Sequence, residues 1–313
     1  MTDNHLSRRQ LLAGIGAAAA GANISEAAED RLKSPFTYCL NTGTIRGQKL
    51  TFPREIETAA KAGYDSIEPW VGNINKYVNG GGSLKDIRKQ LADFGLTVES
   101  AIAFSRWIVD DDEARAKGLE QAKREMDTLA QIGGKRIAAP PAGATSRPGL
   151  DLDRAAERYR ALLELGDQFG VVPQVEVWGF SKNLHLLGQS MYVVIESGHS
   201  KACLLPDVFH IYKGGSDFAG LKQLSAHAIQ VFHINDYPAD PPREKATDRD
   251  RIYPGDGVAP LTQILRDMYA NNSQAVLSLE LFNPTYYKQE ALTVAKTGLA
   301  KTRAAVNKAL SSG

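Results

Sequence analysis

The amino-acid sequence predicts an α/β fold of the (β/α)8 barrel class, formed as a single domain by residues 35–313. Short apolar runs alternate with longer segments of helical periodicity, and the alternation repeats eight times without a linker between the units. The strand segments are almost continuously apolar, as in parallel sheets that are covered on both faces. Eight such units close naturally into a barrel, which typically needs about 250 residues.

Glycine, proline and capping residues divide the chain into these units, and Pro53 and Gly63 around the first helix are typical. The predicted strands cover residues 36–41, 64–70, 96–104, 136–139, 171–178, 202–210, 229–235 and 275–282. The predicted helices cover residues 53–62, 83–94, 112–132, 152–169, 188–197, 218–227, 260–270 and 288–310. An open doubly wound sheet is the alternative, although no G-x-G-x-x-G nucleotide-binding motif follows any strand.

The composition argues against several classes of partner. The chain has 37 Lys and Arg against 36 Asp and Glu, a net charge of +1, which provides no basic surface for nucleic acid. After the first 34 residues, no segment is long and apolar enough to span a bilayer. Cys39 and Cys203 lie in predicted buried strands, and we expect them to be reduced core residues.

The first 34 residues have the pattern of an export signal. Arg8 and Arg9 precede an alanine-rich apolar stretch at 11–22, whose small residues at 20–22 suit a signal peptidase. A frayed amphipathic helix is the alternative, which the glycine and alanine content disfavours. The paired arginines indicate the twin-arginine route. We therefore expect a signal peptide and linker over this segment, and a periplasmic or extracellular protein.

Polar residues at the ends of four consecutive predicted strands are the candidate functional residues. In this fold the C-terminal strand ends meet at one face, where active sites form. An ionised carboxylate among apolar neighbours needs a charged partner, hydrogen bonds or a metal. Each residue alone could serve a structural ion pair, but four adjacent strands contributing to one rim predict a single site. The residues are Glu176, Asp207, His210, His233, Asp236 and Glu280.

Carboxylates combined with an imidazole form a hard, oxygen-rich donor set. Such a set suits manganese, magnesium, cobalt or zinc. We therefore expect one divalent metal ion as cofactor.

The order of these residues resembles the sugar phosphate isomerase/epimerase family. These are xylose isomerase-like TIM barrels, which include tagatose/psicose 3-epimerases and inosose-converting enzymes. The resemblance covers roughly residues 35–310 and is carried by Glu on strand five, Asp-x-x-His on strand six, His on strand seven and Glu on strand eight. Residues 251–257 (RIYPGDG) also look like the family's R-x-x-P-G-x-G loop, and residues 63–68 (GYDSIE) look like an early family segment.

The resemblance implies a role for each matching residue. The implied metal ligands are Glu176, Asp207, His233 and Glu280. Glu176 and Glu280 would also be the catalytic acid/base pair on opposite faces of the substrate, while His210 and Arg251 would hold substrate oxygens. The implied reaction is isomerisation or epimerisation of a keto-sugar or polyol-derived ketone, by proton transfer through an enediolate that a divalent cation stabilises.

Four further residues are candidates for substrate contact. Trp70, Trp107 and Trp178 fall at or near strand ends and could stack on a sugar ring, although aromatic residues there equally serve packing. Glu68 could contact the substrate or form an ion pair inside the barrel. The segments 178–187 and 213–215 match no subgroup of the family.

Other functions stay open on the same scaffold. A lyase or dehydratase acting on an oxidised sugar or glycoside would use the same metal site, and export favours it because free sugar phosphates are cytoplasmic. A non-catalytic exported sugar-binding protein is a further alternative. An endonuclease-IV-like hydrolase is disfavoured, since only five of the six histidines follow the leader. The expected partners are a small sugar-like substrate and, in a homo-oligomer, a second copy of the chain.

Replacing Arg8 and Arg9 together by lysine is expected to leave unprocessed precursor in the cytoplasm, because a receptor reads the arginine pair. Cell fractionation and immunoblotting measure the distribution. The control exchanges Arg31→Lys and Lys33→Arg, which preserves charge outside the motif. Undiminished export of the first variant contradicts the twin-arginine assignment.

Overall fold

The computed structural model describes residues 34–271 and 274–311. The predicted leader therefore lies outside the described residues, except for its last position. Within them, eight strands follow one another along the chain, and their pairings are parallel. The strands are β1 Thr37–Asn41, β2 Ser66–Glu68, β3 Thr97–Val98, β4 Arg136–Ala139, β5 Val172–Glu176, β6 Leu204–Leu205, β7 Val231–Ile234 and β8 Val276–Leu279.

Helices connect consecutive strands and cover the outside of the sheet. The α-helices are α1 Phe52–Ala62, α2 Val71–Asn79, α3 Leu84–Phe94, α4 Asp112–Gln131, α5 Leu152–Asp167, α6 Leu187–Glu196, α7 Val208–Gly214, α8 Leu261–Ala270 and α9 Ala291–Leu310. Short 3-10 helices cover Thr42–Gln48, Phe218–Gln223, Asp248–Asp250 and Tyr286–Lys288. Among the helices in the described ranges, none has the length and apolar character that crossing a membrane requires.

The strands close into a barrel. One hydrogen-bonded sheet has the order β3-β2-β1-β8-β7, and a second has the order β4-β5-β6. Between β6 and β7, an isolated parallel bridge joins Asp207 to His233. On the other side, the amide of Ala138 donates to the carbonyl of Ala101 at 2.9 Å, which joins β4 to the segment after β3. The predicted barrel is thus confirmed, and the open-sheet alternative is wrong.

Helix α1 shows how local sequence determines the elements. Pro53 lies in its first turn, where its missing N–H costs no helical hydrogen bond. Gly63 follows the helix with a φ of 93°, a left-handed conformation that glycine adopts without strain. Its amide donates to the carbonyl of Ala59, which satisfies a terminal acceptor. Ile56 on the inner face is fully buried, so the helix packs its apolar side against the barrel.

Small and branched apolar side chains fill the barrel interior. All come from strands except Ile102, which lies in the segment after β3, as expected for the interior layers of this fold. Cys39 and Cys203 are both free and buried, which confirms that they are reduced core residues. The interior cluster contains Cys39, Ile102, Ala138, Leu205, Val231 and Val276, with Trp70 packed against it.

The predicted sixth strand, residues 202–210, is too long. Strand β6 ends at Leu205, and helix α7 begins at Val208. Asp207 caps this helix, since its Oδ1 accepts a hydrogen bond from the His210 amide at 2.8 Å. His210 therefore lies in the first turn of a short helix and not on a strand.

Two helical segments also differ from the prediction. Helix α2 was not predicted, because the asparagines and glycine within residues 71–79 have low helix propensity and hide its apolar face. Conversely, the helix predicted over residues 218–227 is only the 3-10 helix Phe218–Gln223. Gly220 lies in its middle, where glycine disfavours a continuous α-helix.

Glu55 is an isolated acid on the buried face of α1. Its Oε1 accepts a hydrogen bond from Asn73 Nδ2 at 2.8 Å. Its Oε2 is buried and has no hydrogen-bond partner in the described part of the chain. Burial raises the pKa of Glu55 to about 8. The folded protein therefore holds this carboxyl in its neutral form at neutral pH.

We expect Glu55→Gln to gain stability relative to the wild type as the pH rises from 4.5 to about 8. The folded state binds the proton more tightly than the unfolded chain, so its stabilising contribution is complete at low pH and is lost as pH rises through the folded pKa. The difference in unfolding free energy should grow by up to about 1.4 kcal/mol per pH unit.

Urea unfolding at several pH values measures this difference. Glu120→Gln, at an exposed position of α4, is the control and should run parallel to the wild type. A Glu55→Gln curve that is also parallel would show that the acid is not held neutral.

Candidate active site

The C-terminal strand ends surround a cavity of about 380 Å³. Polar residues predicted from the sequence line it together with aromatic side chains. The predicted lining residues are Glu176, His210, Arg251, Glu280, Trp70 and Trp178.

Three predicted metal ligands form a compact cluster at this face. One potential ligand atom each from Asp207, His233 and Glu280 lies within 4.8 Å of the others. His233 Nδ1 is 3.2 Å from Glu280 Oε2 and 3.6 Å from Asp207 Oδ2. The topology explains the proximity, because Asp207 bridges to His233 after β6 and Glu280 follows β8, the other neighbour of β7.

Glu68 fixes the orientation of the His233 ring. His233 Nε2 donates to Glu68 Oε2 at 2.9 Å, and the same oxygen accepts from Ser278 Oγ at 2.6 Å and from Asn41 Nδ2 at 2.9 Å. His233 Nδ1 is left facing the two carboxylates, buried and without a hydrogen-bond partner in the described ranges. A buried nitrogen aimed at two carboxylate oxygens fits a metal ligand whose other nitrogen is held by a carboxylate.

Electrostatics at His233 agree with this geometry. Burial disfavours the imidazolium, but the carboxylates of Glu280 and Glu68 outweigh burial and raise the pKa of His233 well above its usual value. The carboxylates therefore strongly favour a positive charge at this position, and a proton on the imidazole supplies that charge. A metal ligand must release that proton, so metal binding at this site would compete with protons.

Arg251 neutralises the buried carboxylates. Its Nη1 donates to Asp207 Oδ2 and to Glu280 Oε2, both at 2.8 Å, and its Nη2 donates to Asp248 Oδ1 at 2.6 Å. Burial favours the neutral form of Glu280, but His233 and Arg251 outweigh it and lower the pKa of Glu280 to about 2. Glu280 is therefore ionised at neutral pH.

Glu176 lines the same cavity but lies outside the three-residue cluster. Its Oε1 is 3.9 Å from His210 Nε2. Burial and the negative charge of Glu280 raise the pKa of Glu176 to about 8. Burial and the nearby charge of Arg251 lower the pKa of His210, which is therefore neutral. Of the three carboxyl groups that line the cavity, Glu280 is thus ionised and Glu176 is neutral at neutral pH, while Asp248 pairs with Arg251.

Two of the three predicted tryptophans line the cavity. Trp70 and Trp178 flank Phe104, with ring centroids 5.4 and 6.3 Å from that of Phe104. Trp107 does not line it, and its prediction as a substrate contact is wrong. Its side chain is fully buried and its Nε1 donates to the carbonyl of Pro140 at 2.9 Å.

Glu68 and Asp236 do not line the cavity but hold residues that belong to the site. The fully buried Glu68 does not line the cavity, so its predicted substrate contact is wrong, and it holds His233 instead. Asp236 accepts hydrogen bonds from the amides of Gly255 and Gly257 at 3.0 Å. It therefore anchors the loop that carries Arg251.

Eight lining residues were not predicted. Ile102, Phe104 and Phe282 lie near or at the ends of two predicted strands, so the strand-end rule could have identified them. The others lie in segments after strands, where no sequence signal marks them. The eight are Arg46, Ile102, Phe104, Asp248, Arg249, Phe282, Pro284 and Tyr287.

Comparison with known proteins agrees with the fold. A family model described as the xylose isomerase-like TIM barrel matches residues 56–305. An inosose isomerase of Bacillus velezensis is 28% identical over 275 residues, which cover 86% of this chain and 97% of that protein. A 3-dehydroshikimate dehydratase of Pseudomonas aeruginosa is 26% identical over 237 residues, which cover 74% of this chain and 36% of that protein.

Solved structures show the same architecture. A crystal structure described as the IOLI protein with a binding zinc atom has a TM-score of 0.82 and 25% identity, and the match covers 88% of this chain and 100% of that one. An L-ribulose 3-epimerase structure has a TM-score of 0.71 at 18% identity, covering 88% and 95%, which shows a likeness of fold. The named relatives are isomerases, epimerases and dehydratases. This chain belongs to the xylose isomerase-like TIM barrel family, and that family is one of enzymes.

Proposed function

We propose that this protein is a metal-dependent isomerase or epimerase of a keto-sugar or polyol-derived ketone. The observation that carries the proposal is the cluster of Asp207, His233 and Glu280, of which Glu280 lines the same cavity as Glu176. The inosose isomerase relative and the zinc-containing structural neighbour support it.

The donor set fits a divalent cation. Asp207, His233 and Glu280 would hold it, with Glu176 as the fourth proposed ligand, and manganese, magnesium, cobalt and zinc all accept such ligands. When bound, the ion polarises a substrate carbonyl and stabilises the negative charge of an enediolate. The unsatisfied His233 Nδ1 is the feature of the site that this cation explains best.

Two of the carboxyl groups that line the cavity, Glu176 and Glu280, suit proton transfer in opposite directions. In the proposed reaction, ionised Glu280 takes the proton from the carbon next to the carbonyl, and the C–H electron pair moves into the enediolate. Protonated Glu176 returns a proton to carbon, from the far face in an epimerisation. Groups whose environments separate their pKa values are typical acid/base partners. Neutral His210 and the guanidinium of Arg251 would hold substrate oxygens.

A lyase or dehydratase is the second candidate, and the 3-dehydroshikimate dehydratase relatives favour it. The first proton transfer would be the same, but the enediolate would then expel a substituent from the next carbon. We also propose, from Arg8 and Arg9, that the protein is exported. An exported enzyme of either kind would meet carbohydrates outside the cytoplasm. Mass spectrometry in deuterated water separates the two, since an isomerase incorporates deuterium and a lyase releases a fragment.

Glu280→Gln is expected to lower solvent-deuterium incorporation next to the carbonyl of a suitable ketone, such as an inosose, by about 100-fold or more. The amide cannot take the proton. Nuclear magnetic resonance measures the exchange, and circular dichroism checks the fold. Glu157→Gln, an exposed position on α5, is the matched control. Unchanged exchange in Glu280→Gln refutes the proposed role of Glu280. A wild type that binds a sugar but exchanges no deuterium, together with equal sugar binding by Glu280→Gln, favours a binding protein.

Glu68→Gln is expected to lower the affinity for a divalent metal by about 10- to 100-fold, because an uncharged amide holds the His233 ring less firmly. Competition with a chromophoric chelator measures the affinity without any substrate. The control Glu99→Gln removes another buried strand-end carboxylate, which instead pairs with Lys135 and Arg136. Equal affinities in wild type and Glu68→Gln contradict the positioning role, and a wild type that binds no metal removes the premise.

A further inference from the structure

Arginine side chains without an ion-pair partner in the described ranges line the active-site cavity. The carboxylates at its base are already matched by Arg251 and His233. Arg46 and Arg249, by contrast, line the cavity and are exposed. Neither side chain forms an ion pair or a hydrogen bond with any residue in the described ranges. The cavity therefore carries two positive charges that no carboxylate in the described ranges pairs with.

Arg46 is held in place by aromatic rings. It lies in the 3-10 helix after β1, and its guanidinium carbon is 4.9 Å from the ring centroid of Trp70 and 5.7 Å from that of Phe282. Stacking against rings occupies the flat face of a guanidinium and leaves the N–H groups at its edge free to donate. Arg46 is thus positioned for a ligand while lacking one among the described protein groups.

A second cavity, of about 260 Å³, shares Arg46 and Trp70 with the first. Lys49 and Lys76 also line it, and its charged lining residues are all basic. Neither lysine forms an ion pair within the part of the chain that the structure describes. Thr42 lines the cavity as well, and its buried Oγ1 has no hydrogen-bond partner in the described ranges. The cavity thus combines unmatched cations with an unsatisfied hydroxyl group.

Asn73 also lines the second cavity, and it donates to the carboxyl group of Glu55. Because burial raises the pKa of Glu55 to about 8, that carboxyl is neutral at neutral pH. Glu55 therefore adds no negative charge next to Asn73 at this pH.

We propose that Arg46, Lys49 and Lys76 form an oxyanion subsite beside the carboxylate cluster, and that it takes a carboxylate or phosphate group. The planar fork of a guanidinium matches either group, and the ammonium groups add point charges. This inference rests on the proposed function. The oxyanion is then a substituent of the substrate, whose carbonyl lies at the carboxylate cluster. The substrate class is then an anionic cyclic or open-chain ketone.

The first test uses inorganic phosphate as the probe, with the full-length protein and isothermal titration calorimetry. Arg46→Gln is expected to weaken phosphate binding about 10-fold or more, because it removes charge-assisted hydrogen bonds. Lys49→Gln with Lys76→Gln should weaken it less. Lys89→Gln, an exposed lysine of α3 paired with Asp93, is the control and should bind like the wild type. Absence of saturable binding by the wild type, or equal binding by Arg46→Gln, overturns the subsite.

The second test compares deuterium exchange into 3-dehydroshikimate, an anionic ring ketone, with exchange into an uncharged inosose. If the anion belongs to the substrate, Arg46→Gln lowers kcat/KM for the anionic ketone about 10- to 100-fold and changes the neutral one less than about 3-fold. Equal effects on both ketones, with Arg46-dependent phosphate binding, support a subsite for a separate anion. Arg46-dependent phosphate binding without exchange into any ketone contradicts the proposed function and leaves the subsite standing.

Discussion

The requirement to neutralise carboxylates that are buried at the mouth of the barrel governs the structure of this site. Asp207, Glu280 and Glu68 have almost no solvent exposure, and a buried carboxylate without a partner is strongly destabilising. Two buried cationic groups meet this requirement, the guanidinium of Arg251 and the imidazole of His233. The position of each cation is in turn held by backbone elements, so the charge pattern and the loop structure depend on each other.

The Arg251 loop illustrates this dependence. Asp236 accepts hydrogen bonds from three amides of the loop after Arg251, and it pairs with Ile252 through backbone hydrogen bonds. A side chain at Gly257 would meet the Tyr237 carbonyl at 2.2 Å, so only glycine allows this close packing. The loop motif noted in the sequence is therefore a means of burying an arginine above the carboxylate cluster.

Much of the site could be predicted because the fold converts strand order into proximity. Glu176, Asp207, His233 and Glu280 lie within or just after the C-terminal ends of consecutive strands, and parallel strands of a barrel end at the same face. Trp107 could not be assigned from sequence, since an aromatic residue near a strand end can point to the core or to the cavity. Glu68 was recognisable as a buried acid, but its contact with His233 spans 165 positions and crosses the barrel interior. Such a contact leaves no local pattern.

Arg46 likewise could not be identified as a site residue from the sequence. It follows β1 in a short 3-10 helix, and its neighbours in sequence give no indication of function. Its environment is created by Trp70 from the next unit and Phe282 from the last unit, which lie together only because β1 pairs with both β2 and β8. Adjacent strand ends thus bring together both the carboxylate cluster and the aromatic rings that hold Arg46. A substrate that contacts both, as we propose, must carry a carbonyl and a negative charge at matching positions, which is a stricter condition than a match to the metal cluster alone.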